Sequence, residues 1–319
     1  MKAIVHSRYG APDALELKDI DQPTVDDDKV LVRVRAAAVG KGDWLTVNGL
    51  PYLARMGLPR PKHSVPGFDV AGRIEAVGSN VTQAQPGDEV FGWCDGSFAE
   101  YASVPEGQLV LKPTNLTFEQ AAAVPISGFA ALQALRDTGG VQPGQQVVII
   151  GASGGVGSFA VQLAKAFGAE VTGVCSTKSV EMVRSIGADH VIDYTQEDFT
   201  RTGQRYDLIL EMAGNRSLSD LRRALTPKGT LVLVGGSGCK WFMGIGRTLR
   251  AVVVSLFVRQ RLRSFFSKPK RADLVVLKEL IEAGKVTPVI DRTFPLTATP
   301  EAIRYVGERS TQGKTVITV

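Results

Sequence analysis

The chain has 319 residues, 44% of them apolar and 22% charged, a balance that excludes a disordered or fibrous protein and leaves room for about two globular domains. Its three cysteines, Cys94, Cys175 and Cys239, lie outside metal-motif spacing of one another and of His6, His63 and His190, so neither a disulfide framework nor a cysteine-rich zinc site is expected. The formal charge is +5, yet residues 238–272 hold Lys240, Arg247, Arg250, Arg259, Arg261, Arg263, Lys268, Lys270 and Arg271 with no acid among them; the basic character is local, and the rest of the chain is weakly acidic.

Residues 1–120 read as strands and turns, AIV, VLVRVRAAAV, VAGRIEAV, EVFGW, AEYASV and QLVLKP, punctuated by Gly, Pro, Asp and Asn. From about Phe118 the pattern changes: FEQAAAVPISGFAALQAL is rich in Ala and Leu, with Thr117 as N-cap and Gly139 and Gly140 beyond it. QVVII, 146–150, reads as a short buried strand, and Val156, Phe159, Ala160, Leu163, Ala164 and Phe167 recur at helical spacing before Gly168. The strand VTGVC, the helix KSVEMVRSI closed by Gly187, the strands HVID and YDLILEM, the helix SLSDLRRAL and the strand TLVLVGG continue the alternation. Strand and helix in this order predict an α/β fold with a parallel sheet. A helix near Asp273 to Glu282 precedes VTPVIDRTFPL and a terminal strand KTVITV. The opening MKAIVHSRYG carries no long apolar stretch, and no run of eighteen uncharged apolar residues follows, which reads as cytoplasmic.

The stretch VIIGASGGVGSFAVQLA runs from strand to helix across a glycine-rich bridge. A helix start offers unpaired amides and a positive dipole end to a phosphate, provided no side chain blocks the approach. Against the template GxGxxG, residues Ala152, Ser153, Gly154, Gly155, Val156 and Gly157 put Ala at the first glycine, Gly154 where the backbone meets pyrophosphate, and Gly157 where helix packs on strand. A tight packing turn would use the same glycines, but the surrounding strand, amphipathic helix and βα series favour a dinucleotide. At the end of the next strand an NAD site usually offers an acid to the ribose. Here the sequence runs VCSTK, and after Glu170 no acid appears until Glu181. Ser176, Thr177 and Lys178 would instead donate to a 2′-phosphate, so the cofactor expected is NADPH; Ser176 capping the following helix is the plainer use of the same residue.

These segments, VPGFDVAGRIEAVG and PGDEVFG, then AAAVPISGFAALQAL, GASGGVG and GADHVIDY in order, resemble the medium-chain dehydrogenase/reductase superfamily and, within it, the zinc-independent quinone oxidoreductase branch. The resemblance implies a GroES-like β-rich catalytic domain at 1–120, completed by 287–319, and a Rossmann-type doubly wound NADPH-binding domain at 121–286, with an active cleft where they meet. Zinc-bearing relatives carry a Cys near Lys41 to Asp43, a GHE motif where this chain has Gly67, Phe68 and Asp69, and a four-cysteine lobe; none is present here. Without a Lewis acid, alcohol oxidation gives way to hydride delivery to an electrophilic carbon, in a quinone or at the β-carbon of an α,β-unsaturated carbonyl. A non-catalytic, crystallin-like NADPH-binding protein and a carbonyl or alcohol oxidoreductase are the alternatives. The resemblance also implies a homodimer, against which stands the long basic insert, placed to occupy the edge such dimers use.

The segment AAAVGKGDWLTVNGLPY resembles the family stretch that lines the nicotinamide, usually NPxD, with Gly40 for Asn and Lys41 for Pro while Asp43 is kept. Lys41 would meet the developing negative charge on the substrate oxygen, with Asp43 holding it in place and Tyr52 donating a second hydrogen bond; a surface lysine beside a turn-forming Asp is the simpler reading of the pair. Trp44 is assigned to packing. Ala130 replaces a family Thr, and Ser127 one turn earlier would compensate. By the same resemblance Tyr194 would cover the 2′-phosphate or adenine, and Ala213, Gly214, Gly235 and Gly236, at strand ends, would let the backbone approach ribose and nicotinamide.

Leu249, Val252, Val253, Leu256 and Phe257 form one helical stripe flanked by arginines. Such a helix packs on its own domain, meets a partner subunit, covers a cleft or lies on an anionic membrane; peripheral membrane contact through 245–266 is the sharper expectation, packing the plainer one. Nucleic acid is not expected, because no aromatic-basic module accompanies the charge.

Overall fold

A computed structural model describes residues 1–52, 61, 64–214, 216–234, 245–308 and 311–319. The chain divides into two compact units, Met1–Phe129 with Pro269–Ala283 and Pro288–Val319, and Ala130–Lys268 with Gly284–Thr287.

In the first unit the long strand β3 (Lys29–Val39) explains the sheet. Arg33 and Arg35 alternate outward with buried Val32 and Val34, and then Ala36 to Val39 are buried on both faces, because small side chains allow neighbours on each side. Around it run β4 (Asp69–Val77), β5 (Glu89–Trp93), β6 (Tyr101–Pro105) and β7 (Leu109–Leu111). The chain's last strands, β14 (Ile290–Pro295) and β15 (Lys314–Thr318), return to this sheet. Its order is β14-β15-β3-β4-β5-β7, with β6 also on β3, and β15 runs antiparallel to β3 with Ile317 opposite Ala37. A separate hairpin pairs β1 (Lys2–His6) with β2 (Leu15–Asp19).

Two helices of this unit were not anticipated. The first, α1 (Lys41–Asn48), fills the segment expected to line the site. The other, α9 (Thr299–Glu308), buries Ala302 and Ile303 in a cluster with Val47 and, at its edge, Trp44. The expected Ala-rich helix exists but is broken into α2 (Phe118–Ala122) and α3 (Pro125–Gln133). Pro125 has no N–H and its ring crowds the preceding turn, so one helix cannot run through it. Thr117 caps α2 as expected: its hydroxyl accepts from the Gln120 amide at 3.3 Å, and the Gln120 side chain accepts from the Thr117 amide at 3.0 Å. The helix expected at the C-terminal side is α8 (Arg271–Glu282).

The second unit is a parallel sheet of β8 (Gln146–Ile150), β9 (Glu170–Cys175), β10 (His190–Asp193), β11 (Tyr206–Glu211), β12 (Leu225–Leu233) and β13 (Arg261–Ser264). Its helices are α4 (Gly155–Ala166), α5 (Val180–Ser185), α6 (Leu218–Arg223) and α7 (Ile245–Ser255). The strand order is β10-β9-β8-β11-β12-β13. The chain starts in the middle with β8, winds one way to β10, then returns to the other side of β8 with β11. That reversal at β8 is the switch point where open α/β sheets bind ligands beyond their strand ends. Val147, Val148 and Ile149 are fully buried, which is why QVVII reads as one apolar run.

Candidate functional site

At the end of β8 the chain turns into α4 with almost no side chains in the way. Gly151 adopts φ +87° and, with Ala152, donates its amide to the Val174 carbonyl at 3.0 and 3.1 Å, tying the turn to β9. Gly154 sits at the N-cap with no capping side chain. Amides of Gly155, Val156 and Gly157, in the first turn of α4, have no carbonyl one turn earlier within the helix, so they point outward. A Cβ at Gly154 would meet nothing closer than the Gly151 oxygen at 3.6 Å, whereas one at Gly157 would lie 2.1 Å from that same oxygen. Gly157 is therefore required by packing and Gly154 keeps a cradle open. Ala152 is buried, its methyl facing the sheet where Gly173 of β9 makes room. Ser153 is partly exposed.

The neighbouring strand ends contribute the rest of this rim. Ser176 precedes a short turn but its side chain caps nothing, so the plainer reading of that serine fails. Thr177 is different from expectation. Its hydroxyl donates to Asp193 at 2.6 Å and lies 3.0 Å from the Thr195 hydroxyl, so it is not available to a 2′-phosphate. Asp193 ends β10 directly opposite Cys175. It also accepts from the Thr195 amide and from the Gln196 side chain, and the Thr177 hydroxyl, first among these donors, holds its carboxyl below the usual range. Lys178 follows on the same turn. Tyr194 is half exposed at 49% rather than buried, and its amide donates to the Cys175 carbonyl at 3.0 Å, tying its backbone to the end of β9.

At the end of β11 the expected backbone approach takes another form. The amides of Ala213 and Gly214 both donate to Oε1 of Glu211, at 2.9 and 2.8 Å, so these N–H groups turn back into the protein. Glu211 is fully buried, and its other oxygen pairs with Arg247 of α7 at 3.0 Å. Gly235 and Gly236 lie outside the described residues.

The candidate catalytic side chains belong to the first unit. Lys41 and Asp43 do not form the expected pair. At the start of α1 the Lys41 ammonium donates to the Gly307 carbonyl of α9 at 2.9 Å and lies 4.1 Å from the centre of the Trp44 ring. Partial burial pulls its pKa down. Two residues on, Asp43 points inward: its Oδ2 accepts from the Gly40 amide at 2.8 Å, and its Oδ1 is buried without a hydrogen-bond partner. The reason is helical geometry, since residues two apart face away from each other. Tyr52, partly buried, follows the end of α1 at Gly49. Ser127 is buried in α3.

Asp43 faces a second buried carboxylate. Asp69, at the start of β4, accepts from the Ile126 amide in the first turn of α3 at 2.8 Å and from the ammonium of Lys314, at the start of β15, at 2.9 Å. Both partners of this ion pair are almost fully buried. Burial pushes Asp43 up to about 7, the neighbouring Asp69 charge adding to the rise and Lys314 opposing it. Burial raises Asp69 as well, against the pull of Lys314. A Cβ at Gly40 would lie 3.6 Å from the Lys314 ammonium and 3.7 Å from Asp43 Oδ2, so the lysine sits beside both acids.

Comparison with known proteins agrees with both halves of this description. Residues 26–114 match the family "Alcohol dehydrogenase GroES-like domain" and residues 186–317 the family "Zinc-binding dehydrogenase". The chain is 33% identical to the NADPH-dependent alkenal/one oxidoreductase of Arabidopsis thaliana and 32% identical to the 2-methylene-furan-3-one reductase of Solanum lycopersicum, each over 99% of this chain and 79% of the relative. The quinone oxidoreductase of Coxiella burnetii superposes with a TM-score of 0.86 at 27% identity, covering 100% of this chain and 99% of the other. The chain belongs to the medium-chain dehydrogenase/reductase superfamily.

The family model that matches residues 186–317 is named for a bound zinc ion. The donors here do not fit one. Among the described residues two carboxylates flank an ammonium ion, with no imidazole or thiolate joining them, and Cys94, the buried thiol whose pKa the Asp69 charge helps to raise, is kept protonated chiefly by burial. The dinucleotide of the superfamily does fit: the open cradle at Gly154 and the outward amides of α4 suit its diphosphate. Lys314, Glu211 and Asp193 were not singled out from the residues alone, and Arg247 was read only as one of the basic residues of 238–272. Lysine at the head of the apolar strand KTVITV and glutamate inside YDLILEM were the available signals, since a charge in a buried strand demands a partner.

Proposed function

We propose that the protein is an NADPH-dependent, zinc-free reductase of quinones or of α,β-unsaturated carbonyl compounds. One observation carries the reading: the bare turn at Gly154 opens on unpaired helix amides at the switch point of the sheet, in a chain whose relatives are named as alkenal/one and furanone reductases. The amides of Gly155, Val156 and Gly157 hold the diphosphate. Ser176 and Lys178 hold the 2′-phosphate, with Tyr194 covering it and Thr177 acting through Asp193 to fix the turn. NADPH, when bound, supplies the hydride. Lys41 keeps donors beyond the one given to Gly307 and, with Tyr52, stabilises the oxygen that becomes anionic as the substrate is reduced. Asp43 is a positioning residue: it holds the Gly40 amide and so the start of the helix that carries Lys41.

Steady-state assays following NADPH absorbance against benzoquinones, alkenals and enones test the proposal. Turnover with at least one class, and a preference for NADPH over NADH, is the expected result. Tight NADPH binding with no reaction on the whole panel would favour the non-catalytic alternative, for which Gly40 and Ala130, in place of the family Asn and Thr, give some ground.

A further inference from the structure

Helix α7 carries two apolar stripes, and only one is used by the fold. Arg247, Ala251 and Val254, with Val258 one turn beyond the helix, share a face directed at the unit's own core. Ala251 is fully buried, Val254 and Val258 pack against the cluster of Leu218, Leu221 and Leu262, and Arg247 is clamped by Glu211 and by the Arg216 carbonyl at 3.0 Å each. At 100° per residue, Leu249, Val252, Val253, Leu256 and Phe257 fall on the opposite side. They are 61%, 50%, 56%, 77% and 82% exposed. The stripe, which the sequence left as either a packing face or a membrane contact, is thus the outer face of a firmly anchored helix. A contiguous exposed apolar patch on an otherwise well-packed domain marks an interaction surface.

Charge decides what it meets. Arg250 flanks the stripe on the helix, and Arg259 and Arg261 follow the turn; all are exposed, and no carboxylate pairs with them among the described residues. Phe266, 86% exposed, lies just beyond β13. A two-fold contact centred on the stripe would bring together two copies of this uncompensated positive patch. An anionic surface with an apolar interior satisfies both the charge and the stripe. Crossing the bilayer is not open to α7, whose eleven residues fall short of the ~20 needed, and no helix among the described residues is long and apolar enough to span one.

We propose that the outer face of α7 docks the protein on a membrane surface rich in anionic lipid, with Leu249, Val253, Leu256 and Phe257 entering the headgroup boundary and Arg250, Arg259 and Arg261 pairing with lipid phosphates. The surface is independent of the reductase reading, and its test needs neither cofactor nor substrate. The full chain is sedimented with vesicles of phosphatidylcholine alone and of phosphatidylcholine with about one-third phosphatidylglycerol. It should pellet only with the second, and half-molar salt, where screening acts within roughly 4 Å, should weaken binding at least about tenfold. The variant carrying Leu256→Asp and Phe257→Asp should lose at least about tenfold in binding with its circular dichroism and thermal unfolding unchanged, because neither side chain packs on the fold. Failure of the wild type to pellet with anionic vesicles, or equal binding by the variant, overturns the proposal. So does a dimer in sedimentation velocity that the variant dissociates while vesicles bind neither protein.

Discussion

Asp43 and the glycines of the β8–α4 turn show how much rests on single side chains. An aspartate raised by burial to about 7 from 3.8 binds its proton more tightly in the folded than in the unfolded chain. Stability from this group is therefore complete at acid pH and is lost as pH rises from about 4 through about 7, with a slope of at most ~1.4 kcal/mol per pH unit. Asp69, also raised, adds to the same trend. Asp43→Asn should flatten the fall in melting temperature between pH 5 and pH 8 without abolishing it; a variant as pH-sensitive as the wild type would contradict the assignment. The two glycines separate folding from binding. Gly157→Ala forces a methyl to 2.1 Å from the Gly151 carbonyl oxygen and should cost roughly 3 kcal/mol in urea unfolding. At Gly154 an added Cβ makes only an ordinary contact, with the Gly151 oxygen at 3.6 Å, so in Gly154→Ala unfolding should barely change while NADPH affinity by calorimetry drops about tenfold. Both glycines were legible as a pair in GASGGVG, but their different duties were not, because spacing does not say which Cβ would strike a backbone atom.

At the scale of elements, charged groups at strand ends connect one element to the next. Glu211 is buried at the end of β11 and holds both the 213–214 loop and Arg247 of α7. Arg247→Met would leave a carboxylate buried without its partner, which should destabilise the protein by about 3–5 kcal/mol. Adding Glu211→Gln should restore much of that loss, and a double variant no more stable than the single would refute the pairing. The turn after β9 is simpler. With Thr177 committed to Asp193, Lys178 is the charged group proposed for the 2′-phosphate, so Lys178→Ala should weaken NADPH about tenfold and leave NADH nearly unchanged in binding titrations. The strand-helix alternation of this unit and the cap at Thr117 were readable from periodicity and capping residues. Breakage of the Ala-rich segment at Pro125 was foreseeable from proline's missing amide. Helices α1 and α9 were harder, since KGDWLTVN and TPEAIRYVGE are short and find their apolar partners only in each other and in the sheet.

Across the whole chain, the decisive event is the return of the C-terminal strand. Lys314 reaches Asp69 across 245 positions of sequence and brings an ammonium ion to the place where two buried carboxylates face each other. Dialysis against a strong chelator should therefore leave reductase turnover unchanged, and loss of activity restored by zinc would overturn the zinc-free reading. By itself the sequence determined the strand-helix alternation of the second unit, the glycine-rich turn between β8 and α4 and the family, because these depend on local periodicity and on residue types at short, fixed spacing. Only the tertiary structure decided that Asp43 turns from Lys41 toward Lys314, that Thr177 is bound to Asp193, and that the apolar stripe of α7 faces outward. Each of those outcomes depends on which distant element supplies the other half of a contact, and pairing over such separations leaves no periodic mark on the chain.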